Sequence, residues 1–144
     1  MTRPETPAGI RRLIDGWVAA IRARDLDGVM SFYTPDGVAA DVALPLRYAG
    51  MALKRHAWAE FFEAHSGEID YEVTDLKVTR QGNVACLRSL NRVGSEGPGG
   101  KNRDQWVRWT ACLRKFSSEW LVVHDHVSAP METEERRTVS RSLP

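Results

Sequence analysis

Four consecutive segments in the second half of the chain alternate apolar and polar residues, and this pattern constrains the fold more than any other feature. Such alternation is typical of strands in an antiparallel sheet with one buried face. The predicted strands cover residues 69–78, 84–93, 105–116 and 120–128. Turns at 81–83 and 117–118 and a glycine-rich loop at 94–100, which we expect to be mobile, connect them. A sheet of this kind needs a second layer to cover its buried face.

The first predicted strand changes phase along its length. Its apolar residues fall on opposite parities before and after Thr74-Asp75: Ile69, Tyr71 and Val73, then Leu76 and Val78. An extra residue in a strand produces such a shift, so we expect a β-bulge here. A bulge bends the strand, and a bent strand suits a curved sheet.

The first half of the chain supplies the covering layer. Apolar residues recur at helical spacing from Ile10 to Ile21 and again in a segment that opens at Gly50 and ends near Ser66. A short helix is predicted at 29–33, a turn at 34–37 and a short strand at 38–44. The order predicts an α+β fold in which helices close one face of an antiparallel sheet.

Length and composition agree with one ordinary globular domain. The chain has 144 residues, 42% hydrophobic and 27% charged. We assign residues 1–131 to the domain and read residues 132–144, rich in Glu, Arg and Ser, as a disordered tail. The net charge of +1 gives no electrostatic case for nucleic acid or a membrane surface as partner.

Neither a signal sequence nor a membrane span is recognisable. The first nine residues lack an apolar core, and no apolar run approaches the ~20 residues that cross a bilayer. We therefore expect a cytoplasmic protein. Cys86 and Cys112 each fall in a predicted buried strand, so we expect two reduced thiols in the core rather than a disulfide.

Asp125 is the most informative residue of the last strand. The odd positions of that strand, Leu121, Val123 and Val127, are apolar and predict the core face, and Asp125 shares their parity. The even positions, which include Trp120, Val122, His124 and His126, are predicted to form the back of the sheet or a subunit contact.

A carboxylate in an apolar row has two interpretations. It is either structural, satisfied by a neighbouring donor, or a general base in a dry pocket. Arg88, on a neighbouring strand, is the expected companion of Asp125. Direct pairing with Arg88 would lower the pKa of the carboxyl and favour a binding clamp, whereas separation would leave Asp125 free for proton transfer.

Asp41 is the second candidate acid–base residue, because the small residues around it leave its side chain uncovered. Its alternative is a polar residue at an exposed strand end. The ligand-binding candidates are aromatic, although such a set is also what a plain core contains: Tyr33, Tyr48, Trp58, Phe61, Phe62 and Trp109. His124 and His126 lie two residues apart, but spacing supplies no third ligand, so we expect no metal and no other cofactor.

Several segments resemble a known family. Residues 90–92, 106–115 and 120–128 read LNR, WVRWTACLRK and WLVVHDHVS, and residues 32–36 read FYTPD. Over about residues 8–131 the chain resembles the SnoaL-like and ketosteroid-isomerase-like branch of the nuclear-transport-factor-two-like superfamily. Its last strand also resembles the association domain of calmodulin-dependent kinases. The resemblance implies a cone-shaped, curved antiparallel sheet wrapped around N-terminal helices, as in a cystatin-like α+β roll, with one internal pocket, and it implies a homodimer. It also places a basic residue near Arg88 in the pocket, which favours an anionic or carbonyl-bearing ligand.

Two functions follow as hypotheses. One is a cofactor-independent acid–base enzyme, of isomerase, cyclase, dehydratase or hydrolase type, acting on a small apolar or carbonyl-bearing compound with Asp125, Asp41 and Arg88. The other is a non-catalytic ligand-binding or dimerisation module. Fold resemblance alone does not decide between them.

Overall fold

The computed structural model describes residues 5–96, 102–131 and 134. It contains three helices and six strands in an order that places the helical segments early and the long strands late. The helices are α1 (Ala8–Arg22), α2 (Leu26–Met30) and α3 (Ala52–Ala64). The strands are β1 (Tyr33–Ala40), β2 (Tyr48–Ala49), β3 (Ile69–Gln81), β4 (Val84–Glu96), β5 (Asn102–Phe116) and β6 (Glu119–Ser128).

All six strands form one sheet, in the order β2-β1-β6-β5-β4-β3. The predicted α+β class is confirmed, with one difference in detail. Strand β1 runs parallel to β6, so the sheet is mixed rather than wholly antiparallel. A parallel pair needs a long crossover, and here α3 and four strands separate β1 from β6 in the chain.

The core lies between α1 and one face of the sheet, which we call the inner face. Helix α1 buries a stripe at helical spacing: Ile10, Leu13, Ile14, Trp17 and Ile21. The long strands answer with every second residue, among them Ala85 and Leu87 on β4 and Trp109 and Ala111 on β5. Residues of the other parity, such as Arg88 and Thr110, are exposed on the outer face. Within the described ranges, no helix has both the length and the apolar character needed to cross a membrane.

The bulge predicted in the first long strand is present. The β3–β4 register shifts between Thr74 and Lys77, and Asp75 adopts a φ of 50°. The strand therefore keeps apolar residues on the core side at both ends despite the change of parity.

Residues 34–37, predicted as a turn, lie inside β1 instead. Their turn-forming residues produce a wide irregularity: Tyr33 pairs with Val122, yet Val38 already pairs with His124. Gly37 makes this possible, because a Cβ there would stand 2.7 Å from the carbonyl oxygen of Val123. A strand that carries such an insertion bends sharply.

Strand β6 contains a bulge that alternation did not indicate. The register with β5 passes from Cys112–His124 to Leu113–Val122, which leaves Val123 out of the ladder. Trp120 and Val122 are consequently buried before the bulge, and Asp125 is buried after it. The assignment of Trp120 and Val122 to the back of the sheet is therefore wrong, because parity changes once within the strand.

The expectation that both cysteines lie in the core is also wrong. They have outer-face parity: Cys86 is exposed and Cys112 is half-buried. The glycine-rich loop begins later than predicted, because residues 94–96 still belong to β4, and residues 97–101 lie outside the described residues. The predicted disordered tail likewise lies outside them, apart from position 134.

Candidate active site

Asp125 stands in the middle of the inner face with no exposed surface. Its Oδ2 accepts hydrogen bonds from the Tyr33 hydroxyl and the Trp109 indole Nε1, both at 3.2 Å. Its Oδ1 has no hydrogen-bond partner but lies 3.5 Å from the Lys54 Nζ. Two neutral donors and one cation thus surround a carboxylate that water does not reach, which is the arrangement a buried charge needs.

Lys54 was not predicted from the sequence, although it is the centre of this site. Its side chain is 2% exposed, and its Nζ lies 2.9 Å from Asp41 Oδ2 as well as 3.5 Å from Asp125 Oδ1. Burial acts to lower the pKa of Lys54, but the charges of Asp125 and Asp41 outweigh it, so its pKa is raised. Lys54 therefore remains an ammonium at neutral pH and is not a free amine nucleophile.

The sequence did contain a signal for Lys54. It precedes Trp58 by four residues and therefore lies on the same helical face, which continues to Phe61. Leu53, which fits an apolar stripe better by residue type, is 43% exposed. Because a lysine is buried where a leucine would be expected, α3 is only weakly amphipathic by residue type. Its sequence therefore does not indicate clearly which face is buried.

Asp41 follows directly after β1 and is held at both carboxylate oxygens. Its Oδ1 accepts from the Val42 backbone N at 2.8 Å, and its Oδ2 accepts from Lys54. The register explains why it meets Asp125: Ala39 pairs with Asp125 across β1 and β6, and Asp41 is the next residue of that parity. Asp41 is 17% exposed, so one carboxylate of the pair is accessible and the other is not.

A cavity of about 590 Å³ opens beside Lys54, a size typical of small-molecule sites. Its wall is mostly apolar and comes from α3, the segment after β1 and the inner face of the sheet. The wall includes Asp41, Tyr48, Lys54, Trp58, Phe61 and Tyr71. Asp125, Tyr33 and Trp109 do not line the cavity and form a layer behind Lys54.

The six aromatic candidates are consequently divided. Tyr48, Trp58 and Phe61 line the cavity, whereas Phe62 packs against Trp58 at a ring-centroid distance of 6.0 Å. Trp109 stacks on Trp17 with ring centroids 4.5 Å apart. Trp17 and Tyr71 line the cavity too and were not predicted, because both were indistinguishable from core residues by spacing.

Tyr33 donates to Asp125 rather than to the cavity. Burial and the charge of Asp125 raise the pKa of Tyr33 well above its usual value. The Tyr33 hydroxyl therefore stays protonated at and around neutral pH. It acts as a permanent donor to the buried carboxylate.

Arg88 requires a correction. Its partners in register are Lys77 on β3 and Thr110 on β5, and its side chain is exposed on the outer face. Asp125 pairs with Ala111 on the inner face, so the thickness of the sheet separates the two residues. The sequence-based error was one of parity, because the inner positions of β4 are Ala85, Leu87 and Ser89. Lys54 occupies the place that Arg88 was expected to take.

The histidines of β6 lie away from this site. His124 forms a 2.6 Å hydrogen bond between its Nδ1 and the Val38 carbonyl oxygen, and His126 is exposed on the outer face. In the part of the chain that the structure describes, no three His, Cys, Asp or Glu side chains are grouped so that they could hold a metal ion.

A protein-family model and several solved structures match this chain. The family model described as a SnoaL-like domain matches residues 10–132. None of the curated proteins matches the chain. Among solved structures, an NTF2-like protein of unknown function from Pseudomonas putida KT2440 is 32% identical, with a TM-score of 0.76, and 88% of this chain and 87% of that one are covered.

Two more distant structures share the fold. A ketosteroid isomerase-like protein from Erwinia carotovora atroseptica is 20% identical, with a TM-score of 0.69 and coverage of 87% of this chain and 96% of that one. A candidate calcium/calmodulin-dependent protein kinase II association domain from Xanthomonas campestris is 21% identical, with a TM-score of 0.74 and coverage of 92% and 97%. The names of these two proteins describe different roles, so the likeness carries the fold and not the reaction.

Proposed function

The chain belongs to the SnoaL-like domain family, and from that premise we propose that it catalyses proton transfer on a small, neutral, carbonyl-bearing compound. The observation that carries the proposal is the position of Lys54. An ammonium that is charged at neutral pH and paired with two carboxylates lies at the wall of a mostly apolar cavity. Burying such a charge costs desolvation free energy, and a cavity that is only structural does not require a charged wall.

The charges around the cavity favour a neutral ligand. Its described wall carries Lys54, Asp41 and Glu60 as charged groups, and His56 is engaged with Glu60 at 2.9 Å. Asp125, just behind the wall, adds a second negative charge to the Lys54 pair. An anionic ligand would therefore meet a site with no surplus positive charge. With Arg88 on the outer face, the argument for an anionic ligand loses its support.

Lys54 is proposed to bind the carbonyl oxygen. An ammonium has three N–H donors, and the carboxylates of Asp41 and Asp125 face it at 2.9 and 3.5 Å. The remaining donor is available to an oxygen in the cavity. When a proton leaves the neighbouring carbon, the negative charge develops on that oxygen, next to a cation in a dry site.

Asp41 is proposed as the base. It is the carboxylate of the pair that lines the cavity, and it stands within 2.9 Å of Lys54, so it reaches a carbon adjacent to a carbonyl bound there. The C–H bond breaks, the proton passes to the Asp41 carboxylate, and the electron pair forms the enolate. Return of the same proton to another carbon completes an isomerisation.

Asp125 is then a positioning residue rather than the base expected from the sequence. It does not line the cavity, and it contacts Tyr33, Trp109 and Lys54 behind the wall. Its charge keeps Lys54 protonated and fixes its Nζ. The acid–base role moves to Asp41, the other predicted carboxylate.

The proposal is tested by deuterium exchange. Cyclohexanone and β-tetralone are incubated with the protein in D₂O, and loss of the protons next to the carbonyl is followed by NMR. The wild-type chain is expected to accelerate exchange, Asp41→Asn to reduce it about 10²–10⁴-fold, and Lys54→Met about 10²–10³-fold. Pyruvate, an anionic ketone, is expected to exchange at the buffer rate.

Lys77→Met is the matched control, because Lys77 forms an ion pair with Asp75 at 3.3 Å on the surface. It is expected to retain wild-type exchange. Exchange of both neutral ketones at the buffer rate would refute the enzymatic proposal. Quenching of tryptophan fluorescence by β-tetralone without exchange would instead establish the non-catalytic ligand-binding alternative.

We also propose a homodimer through the part of the outer face around Leu90 and Trp106, which leaves Cys86, four residues before Leu90 on β4, outside the contact. Several apolar side chains are exposed on this face, among them Leu90 at 43% and Trp106 at 48%. Leu90 is the register partner of Arg108 on β5, and Trp106 lies two residues before Arg108. Exposed apolar groups that cluster on one face are typical of an interface. Sedimentation as a dimer at micromolar concentration, and as a monomer after Trp106→Asp, is expected. A wild-type monomer would contradict the proposal.

A further inference from the structure

The two cysteines of the chain face each other across neighbouring strands. Cys86 on β4 and Cys112 on β5 are direct partners in the antiparallel register, and both carry free thiols. Cys86 is exposed on the outer face and Cys112 is half-buried beside it. The active site lies on the other face, so the pair is separate from the proposed reaction and does not depend on it.

The ladder shows which kind of pair this is. At the end of the hairpin-like β4–β5 ladder, the Lys115 backbone N donates to the Asn83 carbonyl oxygen at 2.8 Å. Positions 83 and 115 are therefore a hydrogen-bonded pair, and hydrogen-bonded and non-hydrogen-bonded pairs alternate along antiparallel strands. The register runs without a shift from Val84–Arg114 onward, so Cys86–Cys112 is a non-hydrogen-bonded pair.

Non-hydrogen-bonded pairs bring side chains closest together. Their Cα atoms are about 4.5 Å apart, which lies inside the range of about 4.4–6.8 Å that disulfides span. The two side chains also project to the same side of the sheet. Burial raises the pKa of Cys112, and the neighbouring Cys86 thiol raises it further.

We propose that Cys86 and Cys112 form a reversible intrachain disulfide, which makes the outer face of the sheet a site of oxidative modification by peroxide. Cys86 reacts first because it is the more exposed thiol. Its sulfur attacks one oxygen of hydrogen peroxide, the O–O bond breaks, and a sulfenic acid and one water form. The Cys112 sulfur then attacks the sulfenic sulfur, and the S–O bond breaks. The Cys112 thiol proton joins the departing hydroxyl group, so a second water leaves as the disulfide forms.

The bond joins strands next to the active site. Cys112 is adjacent in sequence to Ala111, the β5 partner of Asp125, and it is itself the register partner of His124. A disulfide at this position covalently joins β4 and β5 on the side of the sheet opposite the inner face. We expect oxidation to raise the urea midpoint of unfolding, and a thiol reductant to return it to its original value.

The experiment uses the intact chain at low protein concentration, treated with hydrogen peroxide and then alkylated under denaturing conditions. Expected results are loss of both titratable thiols, an intact mass lower by two hydrogen atoms, and a non-reduced peptide that joins residues 86 and 112. Dithiothreitol is expected to restore both thiols and the original mass.

Cys86→Ser and Cys112→Ser are the matched variants, and each is expected to gain oxygen rather than lose hydrogen. Because serine is close to cysteine in size and these positions face outward, both variants are expected to fold. The proposal is overturned if the wild-type chain keeps both thiols, forms only sulfinic or sulfonic acids, or yields only crosslinks between two chains.

Discussion

Replacement of Lys54 by methionine removes the one cation from a buried group of charges. At an effective dielectric constant of about 20, a pair of unit charges 3.5 Å apart interacts by about 5 kcal/mol, and the pair at 2.9 Å by about 6 kcal/mol. Desolvation of Lys54 and Asp125 offsets much of this in the native protein. The stability lost in the Lys54→Met variant is therefore mainly the free-energy cost of a buried Asp125 carboxylate without a counterion.

That cost sets the expected magnitude. Removing one partner of a buried pair typically destabilises a protein by about 3–5 kcal/mol. We expect this loss for Lys54→Met in urea unfolding at neutral pH, followed by tryptophan fluorescence, with an unchanged m value. The matched control is Lys77→Met, whose exposed pair with Asp75 is expected to contribute only about 0–1 kcal/mol.

A double variant separates charge from packing. If the loss arises from an unpaired carboxylate, Lys54→Met combined with Asp125→Asn is expected to be more stable, by about 1–3 kcal/mol, than the sum of the single variants predicts. Additive single effects would mean that Lys54 contributes only through its packed methylene groups. A loss for Lys54→Met no larger than that for Lys77→Met would refute the account of the site as a charge group.

Two further predictions concern alkaline pH and the bulge in β1. All three tyrosines have raised pKa values, and so does Lys54, so the unfolded chain releases these protons first as the pH rises. The stability that they contribute is complete below pH ~10 and is lost above it, and we expect tyrosinate absorbance at 295 nm from the buried Tyr33 and Tyr71 to appear only together with unfolding. Gly37→Ala is expected to cost about 1–3 kcal/mol because the new Cβ meets a backbone carbonyl of β6. Gly94→Ala, whose two tightest neighbours are the ends of the Arg92 and Asp104 side chains, is expected to stay within about 0.5 kcal/mol by urea unfolding.

The sequence was sufficient for the architecture because periodicity reports burial over many residues at once. Three helical segments, four long strands and the bulge at Thr74-Asp75 were predicted, although the second helix lies at Leu26–Met30 rather than at 29–33, and Tyr33 already begins β1. The errors fall where one residue changes the phase of a strand. Val123 in β6 moves Trp120 and Val122 to the inner face, and no local residue type marks that bulge.

The site was harder to predict because its central residue contradicts its own type. Lys54 is among the residues least often buried, and only its spacing from Trp58 indicates its direction. Arg88 was chosen as the expected cation because its neighbours on β4 with the same parity include Cys86 and Leu90. Both of those residues are exposed, so apolar type alone gave the wrong face.

The two irregular strands explain why one cation can serve two carboxylates. If β6 continued the parity of Trp120 and Val122, Asp125 would point to the outer face, and only the extra residue at Val123 turns it inward. The parallel pairing of β1 with β6 then places Asp41 two residues beyond the partner of Asp125, on the same face. Two carboxylates so close on adjacent strands repel each other unless a cation lies between them, and α3 supplies it at Lys54. The arrangement of charges therefore depends jointly on the sheet register, the β6 bulge and the buried Lys54. A change in any of them alters the charge that faces the cavity.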